Sequence, residues 1–122
     1  ANNRTTLFCQ IETVEGVENA DAMAAIDGVD CLWVGHFDLS VSLGIPGQFE
    51  HKDFKRAIER TIAATKKHKK ALGRLVPNVE TGIAINKQGF DFVCYSGDVW
   101  LLHAAIEDGI KKLRAGCGKR RS

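Results

Sequence analysis

The chain has 122 residues, of which 44% are hydrophobic and 26% are charged, and this composition predicts one soluble globular domain. The formal net charge of +2 is too small to indicate nucleic-acid binding, and no apolar run approaches the ~20 residues that a membrane helix needs. The four cysteines include no Cys-x-x-Cys pair and we find no signal peptide, so we expect free thiols in a cytoplasmic protein.

Four short runs of apolar, β-favouring residues predict four strands along the chain. They lie at residues 7–11, 31–35, 71–76 and 90–95. Their apolar residues are continuous rather than alternating, which is typical of strands that are covered on both faces, as in a parallel sheet.

Helical patterns follow the predicted strands. Thr13 is a candidate cap for the first helix, whose apolar positions run toward Gly28. The other helical segments are expected at residues 39–43, 52–70, 79–87 and about 99–113. We expect the basic run at residues 66–70 to be the solvated end of the long helix, because cations there complement the helix dipole.

The order of elements is therefore β-α-β-α-β-α-β-α, which predicts an α/β fold. Right-handed crossovers would place the four strands side by side and parallel. Four βα units can form an open doubly wound sheet or half of a (β/α)8 TIM barrel, and the pattern alone does not choose between them. A half-barrel would leave two bare strand edges and a large apolar face, so it would need a partner.

Polar residues cluster just after the first two predicted strands. Gln10 and Glu12 close the first strand on one face, and Asp38 follows the second. Because the carboxyl ends of parallel strands meet at one edge of a sheet, Glu12 and Asp38 could together bind a hard divalent cation through oxygen. Asp38 could equally be a helix N-cap, since Leu39 and Ser40 follow it.

The longer motifs around these carboxylates resemble the HpcH/HpaI aldolase family. They are QIET at residues 10–13, GVD at 28–30, VGHFDLSVSLG at 34–44 and GFDFV at 89–93. The separation of Glu12 and Asp38 agrees with that of the family's metal-binding Glu and Asp. The similarity covers residues 7 to about 113, and the combined motif is far more specific than either carboxylate alone.

The resemblance implies a (β/α)8 barrel of which this chain covers about four βα units. On this interpretation residues 1–122 are the C-terminal half of the barrel. Residues 114–122 are basic and glycine-rich, and we expect them to form a flexible tail.

The resemblance also implies a class II carbon–carbon lyase, a divalent-metal aldolase that cleaves or forms 2-oxo acids through a pyruvate enolate and an aldehyde. Glu12 and Asp38 would bind the metal, for which Mg, Mn or Co are suited about equally. Gln10 would help to hold the 2-oxo acid. The backbone N–H groups of Phe37 and Asp38 would bind its carboxylate, and Leu75 would line the aldehyde side of the pocket.

Three features depart from the family's pattern. His36 stands where many members have proline, and we favour a pocket wall over an acid/base role for it. Arg74 stands where an apolar residue is usual, and its side chain could enter the helix layer or contact an acidic partner. The family's catalytic His, its partner Asp and its carboxylate-binding Arg belong to the first half of the barrel, so no catalytic residue is assigned and the chain alone is expected to be inactive.

Two other functions stay open at this point. The chain could be a non-catalytic half-barrel that oligomerises and binds a metal or a 2-oxo acid without turnover. It could also be a relative of the citrate-lyase β type or of phosphoenolpyruvate-utilising enzymes, although the GHFDLS run favours the aldolase. The partners that we expect are the missing N-terminal half-barrel and a homo-oligomer built from dimers, with no nucleic acid and no membrane.

Overall fold

A computed structural model describes residues 5–117 of the chain, with four strands and six helices in that range. The elements are β1 (Phe8–Ile11), α1 (Val14–Glu18), α2 (Ala20–Ala24), β2 (Cys31–Val34), α3 (His36–Ser42), α4 (Lys52–His68), β3 (Ala71–Val76), α5 (Val79–Gln88), β4 (Phe92–Tyr95) and α6 (Asp98–Cys117). The predicted alternation of strands and helices is therefore confirmed, with strand ends that differ by at most two residues.

The four strands form one parallel sheet in the order β1-β2-β3-β4. The pairing of Ile11 with Val34 at the ends of β1 and β2 brings the segments after both strands to the same edge of the sheet. The polar residues that follow these strands therefore lie at the same edge of the sheet, as expected for the carboxyl ends of parallel strands.

The hydrophobic core lies between one face of the sheet and the helices. Ile11, Leu32 and Leu72 are fully buried on this face, and α4 covers them with Phe54 and Ile58. The periodicity of α4 explains this packing, because its apolar residues recur at helical spacing on one side.

The opposite face of the sheet carries an aromatic cluster. The rings of Phe8, Trp33 and Phe92 pack edge to face, with centroids 5.3 to 6.3 Å apart. Phe8 and Phe92 nevertheless stay 40% and 45% exposed. The sequence pattern predicted strands covered on both faces, but the described residues cover only one face.

Two helix boundaries differ from the expectation. The first predicted helix is divided into α1 and α2 at Asn19, whose side-chain amide donates to the carbonyl of Glu15 and so competes with the helical backbone pattern. α3 begins at His36 rather than residue 39, because Gly35 is its N-cap.

The long helix ends as the sequence predicts. α4 ends at His68, and Lys69 closes it in the left-handed conformation. Lys67 and His68 donate to Asp21 at 2.9 and 3.0 Å, and these hydrogen bonds lower the pKa of that carboxyl. The basic run is thus a solvated helix end that also holds α2 against α4.

The last helix is longer than expected. α6 runs to Cys117, so residues 114–117 of the expected tail are its final turn, and residues 118–122 lie outside the described residues. The correction follows from local propensity, because Leu113, Arg114 and Ala115 are strong helix formers. No residue of α6 is buried.

Two further expectations concern thiols and membranes. All four cysteines are free. Among residues 5–117, no helix is both long enough and apolar enough to cross a bilayer.

Candidate metal centre

Glu12 lies directly after β1, and its carboxylate is held by a side chain from the same strand. The amide of Gln10 donates to Oε1 of Glu12. This contact exists because alternate residues of a strand point to the same face. Gln10 and Glu12 therefore lie on the same face, as the sequence predicts, and their side chains form a direct hydrogen bond.

Gly35 brings the end of β2 close to this pair. A Cβ atom at residue 35 would lie 2.6 Å from Cγ of Glu12, 2.9 Å from its Oε1 and 3.2 Å from Nε2 of Gln10. The backbone N–H of Gly35 also donates to the carbonyl of Ile11 at 3.0 Å. The absence of a side chain at Gly35 therefore allows the Glu12 carboxylate to lie against the start of α3.

Asp38 lies in the first turn of α3, and Gly35 rather than Asp38 is the N-cap. The N-cap alternative for Asp38 is therefore wrong, because the helix begins earlier than the sequence pattern indicated. The Asp38 carboxylate is exposed and has no hydrogen bond or ion pair within residues 5–117. An acidic side chain in a first turn interacts favourably with the helix dipole, and it remains free to bind a ligand.

α3 is fixed in place by the buried hydroxyl of Ser40. This hydroxyl donates to the carbonyl of Phe37 at 2.6 Å and accepts the backbone N–H of Gly47 at 2.9 Å. The hydroxyl of Ser42 accepts the N–H of Val14, which ties the end of α3 to the start of α1. The segment that carries Asp38 is thus attached to the loop before α4 and to the start of α1.

The donor set suits a hard divalent cation with an incomplete protein shell. Glu12 and Asp38 offer carboxylate oxygens at one edge of the sheet, and Mg²⁺ typically takes one or two carboxylates and completes its shell with water and substrate oxygens. Within the described part of the chain, no group of three or more His, Cys, Asp or Glu residues could enclose a metal. The residues present therefore fit an open, oxygen-rich site and not a closed structural one.

Phe37 and Leu75 complete the set of residues predicted from the sequence. Phe37 is 55% exposed in the first turn of α3. Leu75 is half-buried near the end of β3, opposite Cys94 of β4. Alternation along β3 places Leu75 on the face opposite to the buried Leu72 and Val76, which is the face of the aromatic cluster.

His36 packs into the helix layer. Its ring lies 5.2 Å from the ring of Phe49, centroid to centroid. Burial and the nearby positive charge of Arg74 lower its pKa to about 4, so the ring is neutral at neutral pH. The charge of Asp38 acts on the ring in the opposite direction, but no carboxylate among residues 5–117 forms a hydrogen bond or an ion pair with His36. It therefore lacks the orienting partner that a general base normally has.

Arg74 also faces the helix layer, which decides between the two orientations that the sequence left open. Only 8% of it is exposed, and burial lowers its pKa from the usual value. Its Nε–H group donates to the carbonyl of Leu75 at 3.3 Å. No carboxylate in residues 5–117 forms an ion pair with it.

Gly35 was not among the site residues predicted from the sequence. Its signal was present, since a glycine between a buried strand and a helix often marks a close backbone approach. The contact itself depends on the pairing of β1 with β2, which brings Glu12 beside Gly35.

Comparisons with known proteins support the resemblance. A family model described as HpcH/HpaI aldolase/citrate lyase matches residues 1–105. The chain is 35% identical over 107 residues to a 5-keto-4-deoxy-D-glucarate aldolase of Shigella boydii, covering 88% of this chain and 42% of that protein. It is also 35% identical over 114 residues to a hydroxypyruvate/pyruvate aldolase of Chromohalobacter salexigens, covering 93% of this chain and 45% of that protein.

Solved structures show the same partial coverage. An HpcH/HpaI aldolase/citrate lyase family protein from Burkholderia cenocepacia superposes with a TM-score of 0.88 at 32% identity, over 93% of this chain and 44% of that one. An HpcH/HpaI aldolase from Desulfitobacterium hafniense superposes with a TM-score of 0.80 at 32% identity, over 92% and 44%. The four βα units are therefore part of a TIM-barrel architecture, and the chain spans less than half the length of the relatives it matches.

Proposed function

Because the chain belongs to the HpcH/HpaI aldolase/citrate lyase family, we propose that it supplies the Glu12/Asp38 side of a divalent-metal aldolase acting on 2-oxo acids. The contact of Glu12 with Gln10 and Gly35 is the observation that carries this proposal. It holds a carboxylate at the edge where β1 and β2 end, beside the helix that bears Asp38.

Glu12 and Asp38 would hold the metal, which could be Mg, Mn or Co because oxygen ligands suit all three. When bound, the metal would stabilise the negative charge of a pyruvate enolate as a Lewis acid. The role of Gln10 is to orient Glu12, because its amide fixes one carboxylate oxygen and leaves the other free. Gln10 would also present its amide to the 2-oxo acid.

The remaining residues would shape the substrate pocket. The backbone N–H groups of Phe37 and Asp38 point out of the first turn of α3 and would donate to the substrate carboxylate. Leu75, on the aromatic face of the sheet, would contact the aldehyde and exclude water from it. These contacts bind and orient the substrate, but none of them transfers a proton.

The proton-transfer group would come from elsewhere in the barrel. His36 is neutral and without a carboxylate partner, and His51, His68 and His103 lie at helices rather than at strand ends. We propose that the other half-barrel supplies the catalytic His, its partner Asp and the carboxylate-binding Arg, and that the chain alone does not turn over substrate.

Metal binding by the intact protein tests the assignment directly. A Glu12→Gln variant keeps the size of the side chain and its contact with Gly35 but removes the charge, so Mn²⁺ binding measured by calorimetry should be lost. Glu15→Gln is the matched control, because Glu15 is an exposed carboxylate only three residues away. Unchanged Mn²⁺ affinity in the Glu12→Gln variant would overturn the site.

A non-catalytic binding module is the second candidate. The observation that favours it is that residues 5–117 carry the two candidate metal ligands, Glu12 and Asp38, but no oriented acid/base group. Steady-state release of pyruvate from a 2-oxo-4-hydroxy acid separates the two functions. Release by the intact protein that depends on Glu12 identifies an aldolase, whereas Mn²⁺ binding without release identifies the module.

A further inference from the structure

A groove of about 700 Å³ opens between α4 and α5, on the helix-covered side of the sheet. Its walls are apolar and come from both helices and from the segment before α4. They are formed by Phe49, Phe54, Ile58, Ile62, Ala84 and Ile85. Arg74 faces the helix layer, whereas Gln10 and Glu12 lie on the face of the aromatic cluster, because side chains alternate between the two faces along a strand. The groove and the Gln10–Glu12 pair are therefore on opposite sides of the sheet.

Arg74 lies at the floor of this groove. It projects from β3 between Leu72 and Val76, which are both fully buried, and only 8% of Arg74 itself is exposed. Its one hydrogen bond within the described residues goes from Nε to a backbone carbonyl, which leaves the terminal guanidinium nitrogens without an anionic partner. A buried cation without an anion is costly, and a carboxylate that forms a bidentate pair with it would offset that cost.

The rim of the groove carries the opposite charge. Glu50, Glu59 and Glu80 are exposed carboxylates that line its opening. Lys55 forms an ion pair with Glu50 at 2.7 Å, and neither of the other two rim carboxylates has an ion pair among residues 5–117. The positive charge is thus deep and desolvated, whereas the negative charges are shallow and screened by solvent. The rim carboxylates repel a doubly charged phosphate more strongly than a singly charged carboxylate.

We propose that the groove binds a small monocarboxylate with an apolar body, with the carboxylate on Arg74 and the body between α4 and α5. Arg74 supplies the charge-assisted hydrogen bonds and the side chains of Phe49 and Ile62 supply the apolar contact. The site is separate from the metal centre, so it does not depend on the function proposed above.

A titration of the intact protein with benzoate, followed by amide chemical shifts, tests the proposal. We expect saturable binding with shifts at Thr81 and Ala84, which line the groove on α5. Saturating Mg²⁺ alone should neither strengthen nor weaken benzoate binding, because the groove is separate from the metal centre. Benzamide, which has the same shape without the charge, and inorganic phosphate should both bind roughly tenfold more weakly or not at all.

Two variants test separately the contribution of the Arg74 charge and that of the groove volume to benzoate binding. Arg74→Met keeps an unbranched side chain and should weaken benzoate binding roughly tenfold or more. Arg114→Met is the matched control on exposed α6 and should bind as the unmodified protein does. Ala84→Phe changes an exposed residue, so this variant should fold, and its ring should fill the groove and block benzoate binding. It tests the proposal independently of the folding of Arg74→Met.

The proposal is overturned by any of three results. These are equal affinity for benzoate and benzamide, unchanged benzoate affinity in the Ala84→Phe variant, or benzoate binding that depends on Mg²⁺. Absence of saturable benzoate binding to the unmodified protein would overturn it as well.

Discussion

At the scale of single residues, the contact of Gly35 with Glu12 decides where the candidate metal ligand lies. A methyl group on Gly35 would meet Cγ of Glu12 at 2.6 Å, a separation that real Cβ atoms essentially never show. The φ angle of Gly35 is −77°, so an alanine could adopt the backbone conformation and the conflict would fall on the Glu12 side chain.

A Gly35→Ala variant should therefore fold but bind metal poorly. We expect Mn²⁺ affinity to fall roughly 10- to 100-fold, the range seen when the groups that orient a metal ligand are changed. Gly28→Ala is the control, because a Cβ there meets nothing within 4 Å. Calorimetric titration of both variants checks this, and equal Mn²⁺ affinity in the two would contradict the role of Gly35.

The pKa of His36 predicts how stability depends on pH. Burial, with the charge of Arg74, lowers this pKa to about 4 from the ordinary histidine value of 6.5. Between these values the unfolded chain binds a proton that the folded chain does not, so stability falls as the pH drops from 6.5 toward 4. Because the ring is only half-buried, we expect a loss of about 1–2 kcal/mol.

Urea unfolding at about pH 7 and about pH 5 measures this dependence. A His36→Phe variant keeps the ring packing on Phe49 but cannot titrate, so it should lose less stability between the two pH values. An identical pH dependence in both proteins would show that His36 does not cause it.

The cysteines should differ in reactivity. Cys31 is 1% exposed, and burial raises its pKa to about 11, so little thiolate forms near neutral pH. Cys117 is exposed at the end of α6. Iodoacetamide should label Cys117 in the folded protein and Cys31 only after unfolding, as read by peptide mass spectrometry. Labelling of Cys31 at the rate of Cys117 would contradict its burial.

At the scale of elements, the end of α4 is a strained position. Lys69 closes α4 with a φ of 55°, a left-handed conformation that costs a non-glycine residue about 1 kcal/mol. Gly89 closes α5 with a φ of 114°, where glycine suits the conformation. The two helices thus end in the same way, but only one of them has the preferred residue.

Replacing these two residues should have opposite effects on stability. Lys69→Gly should raise the free energy of unfolding by about 0.5–1 kcal/mol, because it removes the strain. Gly89→Ala should lower it by about 1 kcal/mol or more, since its Cβ would also meet Cε of Lys66 at 3.2 Å. Denaturant titration of the pair checks both signs, and destabilisation by Lys69→Gly would contradict the account.

At the scale of the whole molecule, two apolar surfaces stay uncovered by the described residues. One is the aromatic cluster of Phe8, Trp33 and Phe92, and the other is the apolar stripe of α6. Leu102, Ile106 and Leu113 of this stripe are each at least 56% exposed. Exposed apolar surface of this extent marks an interaction site. We therefore propose that the intact protein is an oligomer with α6 in its interface.

Light scattering of the intact protein tests the oligomer. An Ile106→Glu variant should shift the protein toward smaller species, because it places a charge within the stripe. Ala104→Glu is the control, since residue 104 lies on nearly the opposite side of the helix. A single monomeric species of the unmodified protein would refute the prediction.

The sequence by itself determined the order of elements, the parallel sheet and the edge of the sheet at which Gln10, Glu12 and Asp38 lie. It could do so because these features depend on local hydrophobic patterning and on the short motifs around the carboxylates. It also identified the solvated end of α4, since charge near a helix terminus is a local property.

Only the tertiary structure decided the placement of Arg74 and His36, the contact of Gly35 with Glu12 and the uncovered face of the sheet. Each of these depends on residues far apart in the chain that meet through strand pairing or helix packing. Arg74 is one example, because its burial is created by α4 and α5 rather than by its neighbours in sequence. The sequence identifies the residues whose side chains could take part in binding or catalysis, whereas packing between distant segments determines which of them come into contact.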